Sequence, residues 1–292
     1  MELIRAYLTK PSAVLRFTGE DHVDFLQSQG TADLRGPIGI CRYTLWLDHK
    51  GLIHGDSHVL KVSAEECLLI SYLTPAVDLV SKFDRHIIAD DVEIADETDK
   101  WNLLSVLPDS IALLPRDCMP GEEDNVFNEE SGSYFYPGRR CGPVTVDCLI
   151  PSTVALPFEV EEVYEDDVEA IRIKSGIPFL PVDITPGKFN SLEANLISPL
   201  SFDKGCYLGQ EVVARVHRLG RLSRRFIAVS GRGAAPRVPF MLEDNGREIG
   251  AITSVVKSHD TFQGIGWLKS RYEDGRLGMG GLNLEVSTLA SS

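Results

Sequence analysis

The sequence predicts an α+β protein in two parts, on three observations. Over residues 1–225, segments with helical spacing of apolar residues alternate with hairpin-like runs. After Arg224 the helix signals stop, and short stretches with period-two patterning take over: "RRFIAVSG", "REIGAITSVV", "FQGIGWL" and "LNLEVSTL". Between the first two sits Asn245–Gly246, a dipeptide whose tolerance of positive φ suits a type I′ hairpin turn. Residues 226–292 are therefore expected to form a small β-barrel or sandwich in contact with the preceding body.

Within the body, "FTGEDHVDFLQSQGTADL" reads as a strand end, a turn at Gly19 and a helix from about Asp21. Val23, Phe25 and Leu26 give that helix a buried face, and Gly30 closes it. "CRYTLWLDHKGLIHGDSHVLKV" predicts a β-hairpin turning at Asp48–Gly51. "TPAVDLVSKFDRHIIADDVEIA" predicts a helix followed by a strand, with Val77, Val80 and Phe83 at helical spacing. The stretch from about 115 to 140, rich in Pro, Gly, Glu, Asp and Asn, is expected to be a loop or insertion. "YEDDVEAIRIKSGIP" predicts an amphipathic helix stopped by Gly176 and Pro178.

The 292 residues, 43% apolar and 25% charged, are those of an ordinary globular protein. The opening "MELIRAYLTKPSAVLRFTGED" carries no secretory or transit pattern, and no apolar run is long enough to cross a bilayer, so a reducing, cytoplasm-like compartment is expected. Six scattered cysteines, none in a C-x-x-C pair, argue against a disulfide framework and against a sequence-local metal or iron–sulfur cage. A net charge of −14 opposes non-specific binding to nucleic acid or anionic membrane, and neither partner is expected. One segment departs from this: Lys204, Arg215, Arg218, Arg221, Arg224 and Arg225 stand against the single acid Glu211. It is either a solvated basic face beside a helix end or an anchor for a small polyanion.

That segment contains "KGCYLGQE". A helix is predicted from near Gly209 through "QEVVARVHRL", which puts Cys206 close to the positive end of its dipole and beside Lys204; both favour a thiolate. The flanking Gly205 and nearby Gly209 permit close backbone approach to a ligand. The alternative is a buried cysteine acting as a small hydrophobe. Tyr207 either stacks on a ligand or packs, while Gln210 and Glu211 either meet a ligand or satisfy the first helical turn.

The segments "TGEDHVDFLQSQGTADL", "LDHKGLIHGD", "RIKSGIP", "FNSLEANL" and "SFDKGCYLGQEVVARVHRLG" resemble, in order and spacing, the YgfZ-type folate-binding proteins, relatives of the glycine cleavage T protein, the folate-dependent aminomethyltransferase. The K-G-C-Y-x-G-Q-E run is the most specific of these, and Q-x-Q-x-T-A-D supports it. The resemblance implies a T-protein-like, three-lobed folate-binding body around a central channel, followed by a C-terminal β-barrel. It implies tetrahydrofolate or a derivative as cofactor. It also implies a role in assembling or repairing iron–sulfur clusters of client proteins, including tRNA-modifying enzymes. Cys206 would then be the working thiol, with Glu193, Lys204, Tyr207, Gln210, Glu211 and Arg215 at the folate. Glu193 would accept two hydrogen bonds from the pteridine edge, and Arg215 would hold the glutamate tail.

Two departures qualify the resemblance. Ser191 and Leu192 replace the Pro-Gln pair common before the Glu193 position. "GLIHGD" sets His54 and Gly55 where the T protein has two aspartates; Asp56, one residue later, would face the other side of a regular strand unless a bulge shifts the register. Three functions stand: a folate-binding accessory factor using Cys206, a folate-dependent aminomethyl or one-carbon transferase, and a cluster scaffold. The first is favoured, the enzyme being the alternative. Cys206 is expected to be the most reactive of the six thiols.

Overall fold

The strands form where β-branched and aromatic residues recur at period two. A computed structural model, describing residues 3–121, 126–156, 158–279 and 282–289, arranges them in three sheets. In chain order, β1 (Ile4–Thr9) and β2 (Ala13–Thr18) lead into α1 (His22–Gln29). The hairpin of β3 (Cys41–Leu47) and β4 (Ile53–Lys61) is followed by β5 (Cys67–Ser71), α2 (Ala76–Asp84), β6 (Glu93–Asp96) and β7 (Trp101–Val106). Next come β8 (Asn128–Glu130), β9 (Ser133–Gly138), β10 (Thr145–Pro151), β11 (Val160–Glu162), α3 (Glu165–Lys174) and, after a long connection, α4 (Gln210–Leu219). The C-terminal sheet contains β12 (Arg224–Arg232), β13 (Phe240–Asp244), β14 (Arg247–Ser258), β15 (Thr261–Lys269), β16 (Gly275–Met279) and β17 (Leu282–Thr288).

Two sheets of the body, ordered β3-β4-β5-β2-β6 and β11-β1-β7-β10-β9-β8, pack against each other. Val14, Leu60, Leu68 and Ile70 of the first meet Leu103, Tyr134, Tyr136 and Leu149 of the second. The helices α1 and α2 cover the first sheet's other face, where the Phe83 ring meets Phe17 and Trp46 edge-on at 5.3 and 4.9 Å. This anchor sets the rotation of α2. Ala76, Leu79 and Phe83 are its buried residues, and Val77, expected on the buried face, is 71% exposed.

The stretch 115–140 is only in part the loop or insertion its composition predicts: the described residues up to Phe127 hold no strand, and the second half departs from it. It supplies β8 and β9, which extend the second sheet, although residues 122–125 lie outside the described set. "SYFYPG" explains the difference: Tyr134 and Tyr136 fill the inter-sheet core and Phe135 the opposite face, so aromatic period-two packing overrides the surrounding Pro, Gly and acidic residues.

The fold is α+β, and residues 224–288 form a curled antiparallel half-barrel ordered β13-β14-β15-β12-β17-β16. Asn245 (φ 51°) and Gly246 (φ 72°) make the hairpin between β13 and β14. Register shifts at Leu242/Glu243 and at Ile252/Ser254 bend the sheet. Phe226, Ile265 and Leu289 join Phe189, Leu192 and Leu196 of the long connection and Val213 of α4 in one core, which fixes the half-barrel against the body.

Candidate functional site

The two most specific sequence runs meet in space. Lys204 is buried, and its Nζ donates to the carbonyl oxygens of Gly30 and Ala32, each at 2.7 Å. The Ser201 amide donates to Thr31 O and the Leu208 amide to Ser28 O, both at 3.0 Å. The segment after α1 is folded on itself for this purpose: Gln27 Nε2 donates to Asp33 Oδ1 at 2.9 Å, and Gln27 Oε1 accepts from the Leu34 amide at 2.7 Å. Gly30 leaves α1 in extended backbone rather than in a left-handed cap, and its oxygen is one of the two that hold Lys204.

Cys206 sits on the loop held by these contacts. It is the exposed cysteine of the six; Cys41, Cys67, Cys118, Cys141 and Cys148 are all buried. Burial raises the pKa of each of these five, that of Cys67 to about 12. Apart from Gly205 itself and its two chain neighbours, no heavy atom lies within 4 Å of where a Cβ on Gly205 would stand, so the approach to the loop is open. The helix α4 starts at Gln210 after Gly209, whose φ of 84° requires the left-handed region. The expected role of Lys204 as a charge beside the thiol gives way to a structural one. Its ammonium is spent on two carbonyls and lies 5.1 Å from the Tyr207 ring centroid, and burial lowers its pKa to about 8.

The remaining implicated residues do not converge on one cavity. Tyr207 is buried, with its hydroxyl lacking a partner among the described residues; burial raises its pKa to about 12. The Gln210 amide donates to Tyr207 O, and Glu211 is exposed in the first turn of α4, where its charge complements the helix dipole. Arg215 is exposed and lines none of the cavities described below. Glu193 is 5% exposed, and its oxygens are already engaged: Oε1 accepts from Ser223 Oγ at 2.5 Å and Oε2 from Arg224 Nε at 3.2 Å. The Arg224 guanidinium lies 4.0 Å from the Phe189 ring centroid and holds the place a pteridine edge would take on Glu193.

The register question at "GLIHGD" is resolved by a bulge. Gly55 pairs with Trp46 and Ile53 with Leu47, leaving His54 as the extra residue. His54 turns to solvent, its Nε2 3.2 Å from Asp48 Oδ2. Asp56 is buried, where it accepts from Tyr43 Oη at 2.7 Å and Thr74 Oγ1 at 3.1 Å; burial raises its pKa. Behind it, His58 lies among Tyr43, Tyr72 and Tyr136, and burial, aided by the nearby Arg139, lowers its pKa to about 3. Sequence reasoning missed this polar interior; the signal was the run Asp56, Ser57, His58 inside an otherwise apolar strand.

A cleft of about 540 Å³ opens beside the bulge, between the β3–β4 hairpin, α2 and the connection near residue 180. Leu79, Leu180, Leu208, Pro181 and Pro186 give it apolar walls. His49, His54, Lys82, Arg85 and His86 supply cationic or hydrogen-bonding groups, and Asp78 a carboxylate. Lys82 Nζ donates to Leu47 O, and burial lowers its pKa to about 8. Thr74 also lines the cleft, placing Asp56 one side chain behind its wall, while Leu208 puts the cysteine loop at its edge. A smaller cavity of about 290 Å³ lies by Asp33, Tyr43 and Ser201. Among the described residues, no group of three His, Cys, Asp or Glu side chains is arranged as a metal site, and no helix is long and apolar enough to cross a membrane.

Comparison with known proteins finds the GCVT N-terminal domain over residues 11–125. The chain is 36% identical over 122 residues to the mouse protein named iron-sulfur cluster assembly factor IBA57, mitochondrial, covering 41% of this chain and 31% of that one. It is 26% identical over 272 residues to the tRNA-modifying protein YgfZ of Hamiltonella defensa, covering 85% of this chain and 77% of the relative. The glycine cleavage system aminomethyltransferase T of Bartonella henselae has the same fold, with a TM-score of 0.79 at 19% identity over 98% of this chain and 86% of that one. The match to the mouse relative thus spans about a third of that protein's length.

Proposed function

We propose that this chain, which has the glycine cleavage T-protein fold and is similar to YgfZ-type proteins, is a tetrahydrofolate-binding accessory protein. It supports assembly or repair of iron–sulfur clusters in client proteins, tRNA-modifying enzymes among them, with Cys206 as its working thiol. The observation that carries this reading is the placement of Cys206: the exposed cysteine of six, on a loop clamped by Lys204 to the segment after α1 and adjoining a ligand-sized cleft. In this reading residues 1–225 are the folate-binding body, residues 226–292 the C-terminal half-barrel that buttresses it, and the site of action is cytoplasmic.

The cleft fits the cofactor's chemistry. A folate has flat aromatic parts, which Pro181, Pro186, Leu180 and Leu208 would flank, and an anionic tail, which Lys82, Arg85 and the histidines would hold. Asp78 offers a carboxylate to the amino edge of the pteridine. Bound there, tetrahydrofolate supplies a one-carbon carrier and a reductant. Lys204, Tyr207 and Gln210 shape the cysteine loop, and Glu193 with Arg224 locks the half-barrel to the body.

A second reading, a folate-dependent one-carbon transferase, is favoured by one observation: the bulge at His54 turns the Asp56 carboxyl inward, next to Thr74 of the cleft wall.

Calorimetric titration with tetrahydrofolate tests the proposal. Binding is expected in the unsubstituted protein, weakened in His54→Ala and Lys82→Met and retained in Cys206→Ser, with the last variant failing to support client-enzyme activity in cells. No heat, and no rise in melting temperature at saturating folate, would sink it. Turnover of a methylamine-type donor, lost in Asp56→Asn, would instead establish the transferase.

A further inference from the structure

The basic segment divides into two halves with different fates. Lys204, Arg224 and Arg225 are used internally: Lys204 on two carbonyls, Arg224 on Glu193, and Arg225 on Asp274 at 2.8 Å. Arg215, Arg218 and Arg221 are exposed, and among the described residues none has an ion-pair partner. In a molecule of net charge −14 these arginines have abundant acids available to them, yet they stand free. The dipole of α4 accounts for Arg218 in its last turn, but neither for Arg215 at mid-helix nor for Arg221 beyond the end.

The same face carries one large apolar group, Leu219. α4 turns Val213 and Val216 inward to the junction core and leaves Leu219 62% exposed. Phe202, itself 38% exposed, stacks on His217 with ring centroids 4.4 Å apart. That stack joins the start of the cysteine loop to the third turn of α4, and Cys206, also exposed, lies on the same loop just before the helix.

We propose that the outer face of α4, with Arg215, Arg218 and the neighbouring Arg221, docks an acidic segment of a partner protein and so presents that partner to Cys206, four residues before the helix begins. Charge complementarity selects this occupant. A short acidic segment is matched by three arginines, whereas a long polyanion such as RNA extends beyond them into the field of an acidic protein. Long-range attraction to the patch also favours encounters in this orientation over others. That the partner is an iron–sulfur client rests on the function proposed above; the acidic docking does not.

The test uses the full chain and a fluorescent peptide of glutamates and aspartates, read by anisotropy. Binding should weaken on raising salt from about 50 to 200 mM, and roughly tenfold in the triple variant R215E/R218E/R221E. The same peptide ending in a thiopyridyl disulfide should form a mixed disulfide with Cys206, releasing thiopyridone, faster than the free disulfide reagent does. That advantage should vanish in the triple variant. R215Q/R218Q/R221Q serves if the reversed variant has a lowered melting temperature. The proposal falls if the peptide does not bind, if it binds the triple variant equally, if tethering gives Cys206 no rate advantage, or if tRNA or a pentaglutamyl folate proves the preferred ligand of these arginines. Tetrahydrofolate titration of the same proteins keeps the two ideas apart: unchanged folate affinity with lost peptide binding supports docking, and absent folate binding in the unsubstituted protein sinks the proposed function alone.

Discussion

Arg172 Nη1 lies 2.7 Å from Asp183 Oδ2, and both side chains are fully buried. The pair is completed on every side. Arg172 also donates to Ile177 O, Glu169 Oε2 and Ser254 Oγ, while Asp183 accepts from the hydroxyls of Thr253 and Ser254 and from the Phe179 amide. One ion pair thus ties α3, the connection at 177–183 and β14 of the half-barrel together.

Removing one partner leaves an uncompensated buried charge. Arg172→Met or Asp183→Leu should cost about 3 to 5 kcal/mol, measured by denaturant unfolding of the full chain. A loss below about 1 kcal/mol would show that the pair does not fix the half-barrel.

A second prediction concerns Asp147, which accepts from Tyr72 Oη and whose pKa burial raises to about 6. The raised folded value means that between about pH 4 and 6 the native state holds more protons than the unfolded one, so this group makes stability fall as pH rises through that window. Asp147→Asn should abolish that slope and raise stability near pH 7 by on the order of 2 kcal/mol. Urea midpoints measured across the window decide it; an unchanged slope counts against a buried, titrating Asp147.

Thiol reactivity follows burial. Under limiting alkylation near neutral pH, mass-spectrometric mapping should find Cys206 modified first, and Cys41, Cys67, Cys118, Cys141 and Cys148 modified only on unfolding. Earlier labelling of a buried cysteine would remove the case for Cys206 as the working thiol.

The Lys204 clamp should be separable from the global fold. Lys204→Met loses two charge-assisted bonds to Gly30 and Ala32, at a cost of about 2 to 3 kcal/mol. Amide exchange should accelerate at residues 28–34 and 201–208 and remain slow in the half-barrel. Uniform acceleration would mean that the clamp serves the whole molecule.

Much was legible because it rests on local chemistry. The β3–β4 hairpin, the Asn245–Gly246 turn, the start of α4 after Gly209 and the shift to strands near Arg224 each follow from backbone preferences and from apolar spacing within a few residues. The same locality misled in the second half of 115–140, where composition described the neighbours of "SYFYPG" rather than the core that its tyrosines fill.

The sequence by itself determined the class of fold, the resemblance to YgfZ-type proteins and the chemical oddity of "KGCYLGQE", since these depend on which residues occur and in what order. Tertiary structure alone decided the rest. Long-range burial left Cys206 in solvent while five chemically identical thiols were enclosed. It spent Lys204 on backbone carbonyls 172 and 174 residues away, and closed Glu193 with Arg224. A one-residue bulge, invisible to strand periodicity, turned Asp56 inward. The physical reason is common to all of these. A side chain's role depends on its dielectric surroundings and on which partners reach it, and both are set by segments far away in the chain.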